Sequence, residues 1–230
     1  MSNIIHMIAN WKLNGSKSLI GDYSKFTSNI DFKSKNINPI LCVPFTHISL
    51  AKEYIKNCKI GAQDISSNVN GSYTGEVSGD MISDVGCEYV IIGHSERRKN
   101  HAESDDLIKL KIDQAIKSNI KPILCIGELE EERNSYKKVI SNQLSLIDKS
   151  LDLIIAYEPR WAIGTGKTPT MNEIKDVANF IKKNFPQPII YGGSANEENS
   201  ESILSINEIQ GLLIGGASLN PEKYLKMCGF

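Results

Sequence analysis

Eight short apolar runs alternate with longer amphipathic or polar segments in this chain of 230 residues, and this pattern predicts an α/β fold, a closed parallel (β/α)₈ barrel. The runs are almost continuously apolar and bounded by Gly, Pro or Asn, which is typical of parallel strands buried on both faces. Eight such units suit a barrel, whose usual size is about 250 residues. A doubly wound open sheet is the structural alternative. The predicted strands are Ile4–Ala9, Pro39–Val43, Ile60–Gln63, Tyr89–Gly93, Pro122–Cys125, Leu153–Tyr157, Pro188–Tyr191 and Gly211–Ile214.

The segments between most of these runs predict helices that cross from one strand to the next in the right-handed sense. In one of them, Val139, Gln143 and Leu146 fall at roughly helical spacing, with charges elsewhere. Nothing resembles a linker or a low-complexity tract, so we expect a single catalytic domain spanning residues 1–230. The clearest predicted helices are Lys17–Asn29, Asp105–Ser118, Leu129–Lys149 and Asn172–Asn184.

Composition restricts the partners and the compartment. A formal net charge of −1 provides no general attraction to nucleic acid or to an anionic membrane. No apolar run approaches the ~18 residues of a membrane span, and the N-terminus lacks the basic region of a signal peptide. The five cysteines form no C-x-x-C motif, which favours packed, reduced thiols. We therefore expect a cytoplasmic protein without nucleic-acid or membrane partners.

Polar residues and glycines follow most of the predicted strands. A barrel gathers the carboxyl ends of all its strands on one face, where such folds carry their chemistry. Residues distant in sequence are therefore expected to become neighbours on that face. They are Asn10 and Lys12 after the first strand, His94 after the fourth, Glu158 after the sixth, Ser194 after the seventh and Gly215 after the eighth.

The stretch from Ala156 to Thr170 predicts a carboxylate beneath a hinged lid. Glu158 ends an apolar strand, and Pro159 follows at once and disfavours further pairing. A Gly-rich segment then leads to Lys167, with a helix predicted to begin near Asn172. A nucleotide-binding P-loop is excluded because its first glycine would have to occupy position 161, which is Trp161.

Together these groups favour proton abstraction next to a carbonyl on a small phosphorylated substrate. A carboxylate without metal-ligand companions can take a proton from carbon. His94 can supply an electrophilic N–H and Lys12 a fixed positive charge where an enolate oxygen develops. The glycine turns after the last two strands lie where barrels commonly bind phosphate. Each group alone also suits a structural role, and Cys125 is interpreted as packed rather than reactive.

Five motifs, in order and covering nearly the whole chain, closely resemble those of the triosephosphate isomerase family, the family of the TIM barrel. That family implies interconversion of dihydroxyacetone phosphate and D-glyceraldehyde 3-phosphate through an enediolate, in glycolysis and gluconeogenesis, without a metal or organic cofactor. The motifs are Asn10-Trp11-Lys12, His94-Ser95-Glu96-Arg97-Arg98, Ala156-Tyr157-Glu158-Pro159 with Trp161 to Lys167, Tyr191-Gly192-Gly193-Ser194, and Gly211 to Leu219.

The resemblance also implies a role for each matching residue. Glu158 would shuttle a proton between two carbons, and a neutral His94 would polarise the carbonyl. Lys12 would stabilise negative charge, Asn10 would orient the substrate, and Glu96 would hold Lys12. Residues 159–168 would form the lid that excludes water. The implied substrate and phosphate contacts are Gly164, Ser194, Gly215, Gly216, Leu213 and Ile163.

The long loop of residues 64–79 resembles the interdigitating loop of the family's dimers. Loops of this length in compact domains are usually functional. The resemblance implies a homodimer in which Thr74 reaches the Asn10 and His94 region of the neighbouring subunit; a plain surface loop is the alternative.

The chain also departs from the family pattern. Arg160 occupies a lid-hinge position that is normally aliphatic, and its charge would either slow closure or tighten the hinge through an ion pair. His101-Ala102 replaces an aromatic–glycine pair, and residues 134–142 and 184–189 are shorter than usual. Two functional alternatives stay open: a barrel that binds phosphorylated ligands without chemistry, and another sugar-phosphate isomerase or epimerase.

Overall fold

The computed structural model describes residues 4–163 and 167–230, and within them eight parallel strands close into a barrel in chain order. Each strand pairs with its sequence neighbours, and the last pairs with the first through His6 and Gly211. The predicted (β/α)₈ barrel is confirmed, and the open sheet is excluded. The strands are β1 Ile5–Asn10, β2 Ile37–Cys42, β3 Lys59–Ala62, β4 Tyr89–Ile92, β5 Lys121–Ile126, β6 Ile154–Tyr157, β7 Ile189–Tyr191 and β8 Gly211–Ile214.

Two prolines lie inside strands rather than at their starts. Pro39 pairs with Met7 of β1, whereas β3 pairs with β2 only from Ile40 onward. Pro122 likewise pairs with β4 before β6 joins β5 at Ile123. Proline lacks the N–H that a strand with two neighbours needs, so both residues lie where the ladder has a partner on one side.

The predicted helix over residues 129–149 is wrong as a single element. A 3₁₀ helix covers Glu130–Ser135, and the α-helix that follows ends at Leu144, so that Leu146 lies outside it and is exposed. The acidic run at the start of this segment provides no apolar stripe to dock along the barrel. The α-helices of the described residues are α1 Lys17–Thr27, α2 Ile48–Tyr54, α3 Gly79–Asp84, α4 Ser95–Asn100, α5 Asp105–Lys117, α6 Tyr136–Leu144, α7 Met171–Asn184, α8 Ser200–Leu204 and α9 Pro221–Met227.

Helix starts follow local capping chemistry. The hydroxyls of Ser16 and Ser104 cap α1 and α5 by accepting backbone N–H bonds. Thr170 and Glu173 form a reciprocal capping box, and α7 therefore begins at Met171, one residue before the predicted start. In the described part of the chain, every helix is too short or too polar to cross a membrane.

Strand alternation separates two cores and directs the polar residues of the carboxyl ends inward. Met7 and Ala9 of β1 pack outward against the helices, whereas Ile8 packs inside the barrel. Asn10 has the same parity as Ile8 and therefore belongs to the inner face. In β6, Ile154 and Ala156 are also internal. Continuing that alternation places Glu158 at the inner mouth of the barrel.

The amino-terminal end of the barrel interior is polar, and His6 is buried within it. The Asn38 amide nitrogen lies 3.1 Å from His6 Nδ1 and 3.1 Å from the Tyr89 hydroxyl oxygen. Burial first, and then the positive charge of Lys121, lower the pKa of His6 to about 4, although Asp152 opposes the shift. The neutral imidazole is therefore the native form.

We expect His6 to make the fold sensitive to mild acid. Its native pKa lies below the unfolded value of about 6.5, so the native state binds fewer protons and stability falls as pH drops from about 6.5 toward 4. The loss at pH 5 is about 2 kcal/mol relative to pH 7. Urea unfolding at both pH values measures it. His6→Gln should reduce the difference by that amount, whereas the exposed control His101→Gln should keep it; equal differences in wild type and His6→Gln would contradict the assignment.

Candidate active site

Asn10 and Lys12 leave the end of β1 in a fixed arrangement. The Lys12 backbone N–H donates to Asn10 Oδ1 at 3.0 Å, and Lys12 has a φ of +53°, which non-glycine residues seldom adopt. Its Nζ lies 2.5 Å from Glu96 Oε1. A Cβ added to Gly215 would lie 3.3 Å from Lys12 Cε, so the turn after β8 also confines this side chain. The amine is held at the mouth of the barrel.

His94 caps the amino end of α4 with its imidazole ring. The Glu96 backbone N–H donates to His94 Nδ1 at 3.2 Å, which assigns the ring proton to Nε2. His94 Nε2 in turn lies 3.2 Å from Glu158 Oε1. A buried, neutral imidazole thus directs an N–H into the site.

Glu158 is almost fully buried although it is a carboxylate. Its Oε2 accepts the Ser95 backbone N–H at 2.9 Å, at the first turn of α4. Two glycines make room for it: a Cβ on Gly127 would lie 1.7 Å from the Glu158 carbonyl oxygen, and one on Gly192 would lie 2.9 Å from Glu158 Cγ. Any side chain at Gly127 would displace the backbone that carries the carboxylate.

The loops after β7 and β8 form the opposite wall. The Ser194 hydroxyl donates to the Ala162 carbonyl at 2.9 Å, which joins this loop to the segment after Glu158. Gly215 O accepts the Ser218 hydroxyl at 2.7 Å, at the start of a 3₁₀ helix covering Gly216–Leu219. These short turns bring main-chain groups to the surface of the site.

A cleft of about 770 Å³ unites these elements. Gly164, the remaining predicted contact, lies outside the described residues, as do Thr165 and Gly166 of the lid. Two residues that are not predicted from the sequence, Ser95 and Lys99, also line the cleft. Arg160 of the predicted lid hinge and Gly192 of the glycine turn after β7 line it as well. The predicted site residues in its lining are Asn10, Lys12, His94, Glu96, Glu158, Ile163, Ser194, Leu213, Gly215 and Gly216.

The first residues of the predicted lid contact Glu128, which follows β5. Glu128 Oε1 accepts the Trp161 indole N–H at 2.8 Å and the Tyr157 hydroxyl at 3.1 Å. Arg133 stacks on the Trp161 ring at 3.9 Å from its centroid and pairs with Glu173 of α7 at 2.5 Å. The 3₁₀ helix after β5 therefore connects Trp161, near the start of the predicted lid, with Glu173, which follows its end.

Four charged residues form a closed ring behind α4. Arg97 contacts Asp64 at 2.8 Å and Glu103 at 2.7 Å, and Lys111 contacts the same two carboxylates at 2.6 and 2.5 Å. The ring joins α4 and α5 to the first residue of the loop of residues 64–79. It supports α4, the helix that His94 caps.

Cys125 lies in the inner core close to Glu158 but is a packing residue. Burial and the neighbouring carboxylate raise the pKa of its thiol well above the ordinary value. All five cysteines are unpaired and buried. The interpretation of packed thiols agrees with this environment.

A barrel whose strand ends gather a buried carboxylate, a neutral imidazole and a lysine amine belongs to the class of (β/α)₈ enzymes that work by proton transfer. Comparison with known proteins specifies the class further. A sequence model described as triosephosphate isomerase matches residues 5–230. The chain accordingly belongs to the triosephosphate isomerase family, and it is an isomerase.

Individual relatives agree with the family match. The triosephosphate isomerase of Mycoplasma mobile is 40% identical over 235 residues, covering 96% of this chain and 97% of that protein. The triosephosphate isomerase of Vesicomyosocius okutanii is 41% identical, and the match covers 95% of this chain and 96% of that protein. The triosephosphate isomerase of Mesomycoplasma hyopneumoniae (strain 7448) is 42% identical, and the match covers 96% of this chain and 97% of that protein.

Proposed function

We propose that this chain, as one catalytic domain, interconverts dihydroxyacetone phosphate and D-glyceraldehyde 3-phosphate, with Glu158 as the base. The observation that carries the proposal is the contact of the buried Glu158 carboxylate with the Nε2 of a neutral His94 at 3.2 Å. A base and an electrophile that adjoin each other can act on a hydroxyl-bearing carbon and its neighbouring carbonyl.

The reaction is a proton transfer without loss of atoms. Glu158 removes a proton from the carbon next to the carbonyl, the C–H electron pair becomes the C=C bond of an enediolate, and the carbonyl oxygen takes up the charge. His94 moves the hydroxyl proton of that carbon to the oxygen of the former carbonyl, and return of the abstracted proton to the neighbouring carbon then gives the other isomer. The substrate has to replace the present contacts of Glu158 with His94 and the Ser95 N–H.

His94 and Lys12 stabilise the enediolate oxygens. The Nε2–H of His94 donates to the developing oxyanion, and it is available because Nδ1 is occupied by the Glu96 N–H. Glu96 also pairs with Lys12 and so positions the amine. Asn10 uses its oxygen on the Lys12 backbone, which leaves its amide N–H groups to orient the substrate.

The phosphate end of the substrate is assigned to the wall after β7 and β8. Ser194, Gly215 and Gly216 offer main-chain N–H groups there, with Leu213 and Ile163 as neighbouring apolar contacts. A lid over the cleft would protect the enediolate from water; Gly164, its predicted phosphate contact, lies outside the described residues.

The direct test is turnover by the purified protein, measured in both directions. We expect conversion of triose phosphates, and at least about 100-fold lower kcat/KM for five-carbon sugar phosphates. Equal or better turnover of a five-carbon substrate would favour the alternative of another sugar-phosphate isomerase. Phosphate binding without turnover would favour a binding-only barrel.

We also propose that the active form is a homodimer, located in the cytoplasm. Five unpaired cysteines suit a reducing compartment. The tip of the loop of residues 64–79, residues 69–76, is exposed and includes Tyr73 and Thr74. Apolar side chains are exposed both in this tip, with Val69 at 47% of its surface, and after β1, with Leu13 at 99%. A neighbouring subunit would cover these groups.

Sedimentation equilibrium tests the dimer. We expect twice the chain mass of 25.5 kDa for wild type and a shift toward monomer for Tyr73→Glu, because a charge would be buried in the interface. Leu110→Glu, at an equally exposed leucine on α5, is the matched control and should stay dimeric. A dimeric Tyr73→Glu protein with unchanged kcat would contradict the role assigned to this loop.

A further inference from the structure

Arg160 is a cation on the wall of the active-site cleft that nothing in the proposed reaction uses. It lines the cleft together with Lys12, Lys99 and the carboxylates Glu96 and Glu158. Lys12 forms an ion pair with Glu96 at 2.5 Å, whereas Lys99 is exposed to solvent. Across the described residues, the ion pairs do not include Arg160, so the hinge ion pair that the sequence left open is not formed in this state.

The backbone of Arg160 is anchored beside the cleft. Its N–H donates to the Glu128 carbonyl at 3.0 Å, and the next residue, Trp161, binds the Glu128 carboxylate. The residue is neither fully buried nor fully exposed. Its charge is therefore screened less by water than that of a surface arginine.

The electrostatic surroundings leave this charge poorly compensated. Burial and the neighbouring Arg98 lower the pKa of Arg160, while Glu132, Glu158 and Glu131 oppose the shift. A guanidinium stays protonated in proteins, so the unfavourable surroundings are not relieved by loss of a proton. Arg98 itself is paired with Asp105 at 2.6 Å. An anion that approaches Arg160 from the cleft would gain a favourable interaction.

We propose that Arg160 is a capture residue, which attracts the phosphate dianion of the substrate into the cleft. This inference rests on the proposed function for its substrate. A guanidinium is suited to the role because its fork of N–H donors matches phosphate oxygens. Charges at the rim of a binding site act mainly on association and on its salt dependence.

The competing role for Arg160 is mechanical. Glu131 and Glu132 are close enough to act on its charge, and a pair with either on closure would make Arg160 a hinge residue. If Arg160 captures the substrate, its removal raises KM, and the size of that increase depends on the salt concentration. A hinge pair changes kcat, because it alters the closed state in which chemistry occurs.

The experiment measures KM and kcat of wild type, Arg160→Gln and Arg160→Lys at two ionic strengths, about 0.02 M and about 0.3 M. The Debye length falls from about 20 Å at the lower value to about 6 Å at the higher. Capture predicts that Arg160→Gln raises KM about 3- to 10-fold at low salt with kcat nearly unchanged, and that the difference shrinks below about 2-fold at high salt. Arg160→Lys keeps the charge and should retain most of the affinity. Lys25→Gln removes the same charge from an exposed position on α1, and its kinetic constants should match those of wild type.

Calorimetric titration with inorganic phosphate separates this inference from the reaction itself, because it needs no turnover. Phosphate binding that weakens about 3- to 10-fold in Arg160→Gln at low salt supports capture even if the triose reaction fails. A reduced kcat with unchanged KM, an effect of equal size at both salt concentrations, or unchanged phosphate binding would each overturn it.

Discussion

Glu158→Gln is expected to lower kcat for triose phosphate interconversion by about 10³- to 10⁴-fold with little change in stability. The amide has almost the shape of the carboxylate, and its oxygen can still accept the Ser95 N–H. It cannot take a proton from carbon. The measurement is a coupled assay in both directions, together with solvent deuterium incorporation into the substrate, which reports proton abstraction directly.

A shorter carboxylate at position 158 tests whether the placement of the base matters as well as its charge. Glu158→Asp keeps the base but withdraws it by one methylene, and misplacement by about 1 Å can cost about 100-fold in rate. Glu201→Gln, on an exposed turn of α8, is the control and should match wild type. Full turnover by Glu158→Asp, or deuterium incorporation by Glu158→Gln at the wild-type rate, would exclude Glu158 as the base.

The barrel and its active face could be predicted because strand burial and strand polarity are both encoded locally. Buried parallel strands require continuous apolar runs, and the first polar residue after each run necessarily lies on one face. Asn10 and Glu158 were identified in this way. Their inward direction follows from the alternation that also places Ile8 and Ala156 inside the barrel.

Features that depend on contacts between distant segments could not be predicted. The His94 tautomer is set by a backbone N–H, and the Glu158 carboxylate is held by another, at Ser95. Neither contact can be recognised from the sequence, because a backbone N–H donor is present at almost every residue. The division of residues 129–149 into a 3₁₀ and an α-helix likewise reflects docking against Trp161 and Glu173.

Backbone strain is a further property that the sequence does not reveal by pattern. Ala102, in the position where the family usually has glycine, adopts a φ of +52°. Lys12 is strained in the same sense at +53°. The first lies at an exposed turn, whereas the second directs an amine into the cleft. Only the structure distinguishes the two cases.

The four-charge ring behind α4 provides the largest expected effect on stability. Lys111→Met is expected to lower the free energy of unfolding by about 3–5 kcal/mol at pH 7, because it leaves the buried Glu103 and the partly buried Asp64 with Arg97 alone. Burial already raises the pKa of Asp64 despite both cations. In Glu103, burial acts in the same direction, but Lys111 and Arg97 outweigh it and hold the pKa below its usual value.

The same helix offers a matched control for this prediction. Lys109 pairs with Asp113 at 2.5 Å across one turn of α5, and both side chains are about one-third exposed. Lys109→Met removes the same charge and should cost only about 0.2–0.5 kcal/mol. Urea unfolding of both variants at pH 7 makes the comparison, and equal losses would mean that the ring contributes no more than a surface pair.

The pH dependence of Lys111→Met identifies the cause of its instability. Without Lys111, the native pKa values of the two carboxylates rise, so the native state gains protons more readily than the unfolded state as pH falls. The deficit relative to wild type should be complete at pH 7 and decrease as pH falls through the raised values. Addition of Glu103→Gln should restore part of the stability, because it removes the uncompensated charge rather than refilling a cavity. A deficit that is constant with pH and is not relieved by Glu103→Gln would show that Lys111 acts by packing, and that charge does not hold α4 and its capping residue His94 against the loop of residues 64–79.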